Sequence, residues 1–254
     1  MQQLDIIYED NHLLVVNKQA GIATMGAESG PTLHSLACNY IKEKYRKPGN
    51  VYLGIVSRLD AMTSGVIVMA KTSKAASRLS SQFANRDTDT TNKLYLALVE
   101  GTFVKDTGQE WSDRVYKDDA AHRMRVAHHP SEAAKLASLR FHALTAQHDW
   151  SLIAIRLLTG RKHQIRLQFS DRGHAILGDR KYGSHTDFPN GIALHSWSLT
   201  LTHPTKKERM TFRSVPPKSW QRSLKQIPVE NQFAFDASLA DQLENKLKDE
   251  SDNS

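Results

Sequence analysis

The sequence predicts an α+β fold: a mixed, largely antiparallel β-sheet with flanking helices around a central cleft. Three observations carry that reading. Strand-like runs outnumber helical ones along the 254 residues. Neighbouring strand runs are often joined by short turns, which suits antiparallel pairing better than the long crossovers of a doubly wound sheet. With 39% apolar residues, the chain has enough hydrophobic surface to bury a substantial core.

The opening segment alternates between strands and turns. Leu4–Tyr8 and Leu13–Asn17 flank the polar cluster Glu9-Asp10-Asn11 and predict a hairpin. Thr32 to Tyr45 reads as a helix, because Leu33, Leu36, Ala37, Tyr40 and Ile41 recur at three- and four-residue spacing after Pro31. Strands are expected at Val51–Val56 and Gly65–Ala70, on either side of the polar loop Ser57–Ser64. An amphipathic helix should follow over Ser73–Arg86, with Ala76, Leu79 and Phe83 on one face and Ser73 as its cap. After the Thr/Asp-rich loop Asp87–Asn92, Lys93–Val99 reads as a buried strand.

Gly101–Ser131 is polar and yields no clear element, although it holds the basic run His122-Arg123-Met124-Arg125. Strands are expected again at Ser138–Leu144, Ser151–Leu158, Ala193–Thr202 and Arg209–Arg213. Between the second and third of these, Thr159–Arg166 reads as a turn entering a short helix. The charge of Asp236–Lys248 and the polar terminus point to a mobile tail there rather than a packed helix.

Charge is unevenly distributed. The whole chain carries a formal +7, yet residues 228–254 hold seven acids against two lysines and sum to −5, so the preceding body is +12. A body this basic fits either a merely well-solvated surface or a polyanionic partner, with nucleic acid ahead of an anionic membrane. No apolar run approaches the roughly 20 residues of a membrane-spanning helix, and the N-terminus has no signal pattern. The expected setting is therefore soluble and cytoplasmic. One cysteine, Cys38, rules out an internal disulfide or a Cys-rich zinc site. Twelve histidines form no metal-binding spacing, so no metal is expected. Without a coiled-coil or repeat signal, a monomer is the default.

Three segments have the composition of a working site. In Ser57-Arg58-Leu59-Asp60-Ala61-Met62-Thr63-Ser64-Gly65, an arginine lies two residues from an aspartate in a turn between apolar strands. Spacing alone fits either a surface ion pair or a carboxylate kept anionic to act as nucleophile or base. Thr159-Gly160-Arg161-Lys162-His163-Gln164-Ile165-Arg166 places cations at a strand-to-helix turn, which suits phosphate contacts or simply a solvated charge run. If the helix starts at His163, then His163 and Arg166 share a face. Gly173–Gly183 reads as an ordered loop with three glycines, packed by Leu177.

Taken together these blocks resemble the pseudouridine synthases of the RluA-like branch, which modify ribosomal or transfer RNA. The shared features are Arg58-Leu59-Asp60 with Thr63-Ser64-Gly65 and Ala70-Lys71, preceded by Val16-Asn17-Lys18 and Ala20-Gly21. Lys93–Gly101, Thr159-Gly160-Arg161, His163–Arg166, Gly173-His174, Leu177-Gly178-Asp179, Tyr182-Gly183, Leu194-His195 and His203-Pro204 follow in family order. The likeness spans residues 4–217. It implies one catalytic domain over residues 1–227, followed by the acidic tail 228–254.

The resemblance also assigns roles. Such enzymes break the bond between ribose and uracil N1, turn the base and rejoin it through C5, without a cofactor. Asp60 matches the family's catalytic aspartate, which attacks C1′ or removes the 2′ proton. Tyr95 packs on the uracil and serves as base for the C5 proton. Arg166 pairs with Asp60, and Leu177 lines the pocket. Arg58 enters the gap left by the flipped base, while Arg161 and His163 contact the RNA.

The chain departs from the family at Ser57, where histidine is usual, and at Gln19, where proline is common. Ser57 motivates an alternative: a catalytically silent RNA-binding protein on the same scaffold. A glycosidase reading is weaker, because Asp60 lacks an evident acid partner.

Overall fold

The computed structural model describes residues 4–27, 29–84, 91–129, 133–227 and 235–247. In chain order its elements are β1 (Asp5–Glu9), β2 (Leu13–Lys18), α1 (Leu33–Lys44), β3 (Gly54–Ile55), β4 (Ser64–Ala70), α2 (Ser73–Ala84) and β5 (Thr91–Glu100). They continue with β6 (Gly108–Asp118), β7 (Arg123–Val126), β8 (Lys135–Ala146), β9 (Trp150–Leu157) and α3 (Gln164–Asp171). The last are β10 (Leu194–Thr202), β11 (Arg209–Arg213), α4 (Gln221–Leu224) and α5 (Ala237–Lys246). The α+β expectation is met, and the pairs β1–β2, β2–β4, β3–β4, β10–β11, β5–β9, β8–β9, β6–β8 and β6–β7 are antiparallel. The chain forms two compact units, Met1–Lys93 with Ser196–Val215, and Leu94–His195 with Pro216–Ser254.

In the first unit the strand order is β1-β2-β4-β10, with β11 on β10 and the short β3 on β4. The predicted hairpin is present: Ile6 faces Val16 and Glu9 faces Leu14. Leu13 to Val16 are all fully buried, so β2 is covered on both faces and reads as a continuous apolar run rather than an alternation. Leu13, Val15, Val66 and Val68 pack with Ala75 and Leu79 of α2, Leu199 and Leu201 of β10, and Phe212. Thr32 caps α1 through a reciprocal pair with Ser35, the capping box that satisfies two otherwise unpaired amides.

In the second unit the order is β5-β9-β8-β6-β7. Tyr95 of β5 lies opposite Ile155 of β9, which lies opposite Phe141 of β8. Six successive residues of α3, Gln164 to Phe169, are buried, so this helix is enclosed on every side. Trp111 stacks at 4.4 Å from Phe141 and 4.7 Å from Phe169, fixing α3 against the sheet.

Four expectations need correction. Residues 108–126, unassigned from sequence, form the β6–β7 hairpin, with Val115 opposite Val126. β6 is largely exposed and polar, so it lacks the apolar alternation that marks a strand. The strand expected over Val51–Val56 shrinks to Gly54–Ile55. Thr72, not Ser73, caps α2, accepting from the Ala75 amide at 3.2 Å.

The tail is the fourth. Far from being mobile throughout, residues 235–247 are ordered around α5, whose Ala240 and Leu243 are buried together with Leu247. Arg140 and Arg156 donate to the Leu247 carbonyl at 3.4 and 3.3 Å, and Lys246 pairs with Asp106 at 3.0 Å. Three apolar side chains and a basic anchor outweigh the segment's net acidity. The rest of the expected tail, residues 228–234 and 248–254, lies outside the described residues.

Candidate active site

Asp60 sits on the turn between β3 and β4, and hydrogen bonds brace this turn from both sides. The Thr63 amide donates to the Asp60 carbonyl at 3.1 Å, closing the turn, and the Gly21 amide donates to Ala61 O at 2.9 Å. Buried Thr24 donates through Oγ1 to Leu59 O at 2.8 Å and accepts from the Leu59 amide at 3.2 Å. Leu59 is buried, Asp60 half-buried and Arg58 exposed. This alternation points the apolar residue inward and leaves the charged ones at the rim.

Lys18, at the end of β2, is almost fully buried. Its ammonium donates to Gln19 O, Ile22 O and Ala61 O at 3.0, 2.9 and 3.0 Å. Three donors thus meet three carbonyls, tying the β2 exit to the Asp60 turn. Burial pushes the ammonium down to about 7, against the opposing pull of the Asp60 charge. Gly65 closes the motif at φ +113°, where an added Cβ would lie 2.2 Å from Ser196 O and 2.6 Å from Ser196 N. Glycine is required there so that β4 and β10 can approach each other.

In the second unit, Gln164 explains the Thr-Gly-Arg-x-His-Gln pattern. Its Oε1 accepts from Thr159 Oγ1 at 2.7 Å and the Arg161 amide at 3.0 Å, while its Nε2 donates to Ser138 O at 3.0 Å. α3 begins at Gln164, not His163: His163 is its cap residue, in the left-handed region at φ 54°. The premise that His163 and Arg166 share a helical face therefore fails. Arg161 donates to Leu136 O at 2.8 Å.

Arg166 is buried in a bidentate pair with Asp179, at 2.6 Å from Nε to Oδ2 and 2.9 Å from Nη2 to Oδ1. Such a fork fixes the direction of the guanidinium edge as well as its charge. The Tyr182 ring lies 5.0 Å beneath it. Leu177 is held by backbone bonds to Leu98 O and from the Ala193 amide, both at 2.9 Å, placing it beside the strand that carries Tyr95. Tyr95 itself is 8% exposed.

Arg58 and Asp60 therefore share one turn of the first unit, and Tyr95, Arg161, His163, Arg166 and Leu177 belong to the second. Sequence reasoning gave no role to Lys18, Gln164, Asp179 or Tyr182, although each lies inside a quoted motif block; position in those blocks was the available signal. Among the described residues, no group of three or more His, Cys, Asp or Glu could hold a metal ion. No described helix is long and apolar enough to cross a membrane.

The solved structure "Human RNA Pseudouridylate Synthase Domain Containing 4" superposes with a TM-score of 0.71 at 21% identity, covering 88% of this chain and 92% of that one. "Human RNA Pseudouridylate Synthase Domain Containing 1" gives 0.67 at 26%, covering 85% and 84%. The RNA pseudouridylate synthase family model matches residues 12–171. Ribosomal large subunit pseudouridine synthase D of Zymomonas mobilis is 32% identical over 240 residues, which cover 90% of this chain and 74% of that protein. The dual-specificity RNA pseudouridine synthase RluA of Haemophilus influenzae is 34% identical over 215 residues, covering 83% and 92%. The chain belongs to the RNA pseudouridine synthase family, and its members are isomerases.

Proposed function

We propose that this protein isomerises specific uridines of structured ribosomal or transfer RNA in the cytoplasm, with Asp60 as the catalytic carboxylate. The observation that carries this reading is the Asp60 turn, a half-buried carboxylate on a backbone braced by Lys18, Thr24 and Gly21. Scission of the C1′–N1 bond leaves C1′ electron-poor and the departing uracil anionic. A carboxylate meets that need by attacking C1′ or by taking the 2′ proton. The base then turns and C5 bonds to C1′, releasing the Asp60 ester or regaining the 2′ proton, while Tyr95 takes the proton that C5 loses and N1 gains one. The reaction is redox-neutral and conserves every atom, so its balance calls for no cofactor.

In the same proposal Arg166 keeps Asp60 anionic and aimed, as the family resemblance implies. Leu177 forms the pocket wall. Arg58 fills the gap of the flipped uridine, whose extrusion costs a few kcal/mol. Arg161 and His163 meet the RNA backbone, and the +12 body supplies salt-sensitive attraction. The relatives named for the ribosomal large subunit and for dual specificity support ribosomal or transfer RNA as the substrate class.

The test is a pseudouridine map of ribosomal and transfer RNA from cells with the protein, without it, and with Asp60→Ala. Sites lost in both altered strains are expected, while purified Asp60→Ala keeps its melting temperature and RNA affinity. If no site is lost, the silent RNA-binding reading raised by Ser57 takes its place.

A further inference from the structure

Tyr182 lies where β7 and α3 of the second unit meet. Its hydroxyl oxygen accepts from the Met124 amide of β7 at 3.2 Å and shares a hydrogen bond with His163 Nδ1 at 2.9 Å, at the entry to α3. Ser170 of α3 donates to the Tyr182 carbonyl at 2.6 Å. Ring and hydroxyl are both buried, among Val115, Ala137 and Leu167. The face of this fixed ring carries the Arg166 guanidinium at 5.0 Å, while Asp179 grips the same group from its edge.

An ion pair alone defines a guanidinium's plane along the fork but leaves it able to pivot about the fork. A ring against the face removes that freedom. We propose that Tyr182 is a positioning residue for catalysis: it fixes the tilt of Arg166, and the hydrogen bonds to Met124 and His163 fix the ring in turn. The β6–β7 hairpin thereby becomes part of the machinery that orients the site, through one backbone amide. This rests on the reading that Arg166 aims the catalytic carboxylate. It adds a residue whose effect on the reaction passes entirely through Arg166.

The experiment uses the full chain and in vitro transcripts of ribosomal and transfer RNA carrying tritium at uridine C5, since isomerisation releases that hydrogen to water. Single-turnover rates are followed against enzyme concentration, separating the maximal rate from half-saturation. Tyr182→Leu is expected to lower the maximal rate about tenfold with half-saturation changed less than about twofold, the pattern of misorientation rather than lost binding. Tyr182→Phe keeps the ring but loses both hydrogen bonds, and should fall between wild type and the leucine variant. Tyr182→Met refills the core without an aromatic face and replaces the leucine variant if that packs poorly. In an Arg166→Lys background, removing the ring should add less than about twofold, because both changes act on one group.

Multiplicative losses in the double variant would overturn the proposal, as would wild-type rates in a folded variant lacking the ring. Failure of both non-aromatic variants to fold would assign Tyr182 to stability alone, which also overturns it. Absence of tritium release from wild-type protein is a separate result, and it counts against the isomerase reading itself.

Discussion

Replacing Gly65 by alanine is the sharpest test of how this fold holds its aspartate turn. Gly65 is the second residue of β4, five residues after Asp60, at φ +113°. An L-residue forced to positive φ is strained by about 1–2 kcal/mol. The added methyl would also lie 2.2 Å from Ser196 O, 2.6 Å from its N and 2.7 Å from its C. All three are backbone atoms of β10, so no side chain can swing aside, and overpacking of this kind costs about 1–3 kcal/mol. The sum, about 2–5 kcal/mol, is a large share of the 5–15 kcal/mol that stabilises a typical domain. Gly183→Ala is the matched control, because Gly183 has φ +89° with nothing within 4 Å of its added Cβ. It should show the backbone strain alone. Denaturant midpoints of the two variants, measured with pseudouridine formation, separate strain from collision. If Gly65→Ala is destabilised by no more than Gly183→Ala, the close approach of β4 and β10 does not exist as described.

Three further outcomes are expected. Stability should rise with pH between about 7 and 10.5 through Lys18, whose folded pKa of about 7 lies below its ordinary 10.5, by up to about 5 kcal/mol; denaturation midpoints across that window should lose this slope in Lys18→Met. Glu9 is half-desolvated, yet hydrogen bonds from Lys44, Lys71, Tyr45 and Tyr40 hold it at about 2 against an ordinary 4.5. Its contribution, roughly 2 kcal/mol, is present above pH 4.5 and lost as pH falls toward 2, so acid titration of Glu9→Gln should show a flatter approach to unfolding. Asp179→Ala removes the bidentate partner of a buried guanidinium and should cost about 3–5 kcal/mol by thermal melting, whereas Arg166→Met with Asp179→Leu should recover stability and remain inactive.

The first hairpin, α1 and β5 could be read directly from sequence because their burial follows from periodicity: Leu33, Ala37 and Ile41 recur on one face, and Leu94 to Val99 form an unbroken buried run. β6 escaped detection because Glu110, Ser112, Asp113 and Lys117 have the composition of a loop, and their strand conformation comes from pairing with β8. α5 was misjudged for a related reason: net charge is a property of the whole segment, while docking depends on the few apolar side chains that find a surface. The site divides in the same way. Asp60, Tyr95 and Arg166 stand out through motif blocks, but the fork from Arg166 spans 13 residues to Asp179, and nothing in local spacing announces it.

The sequence by itself determined the family, the order of most strands and helices, and the residues proposed for chemistry, because each depends on residue identity and short-range pattern. Only tertiary structure decided that Lys18 braces the Asp60 turn and that Gly65 must lack a side chain. The same holds for Arg166, gripped by Asp179 and faced by Tyr182, and for the part of the acidic tail that is a docked helix. Each of these turns on distances between segments far apart in the chain. Burial and hydrogen-bond satisfaction act through space, and a one-dimensional pattern carries them only where the partners are also neighbours in sequence.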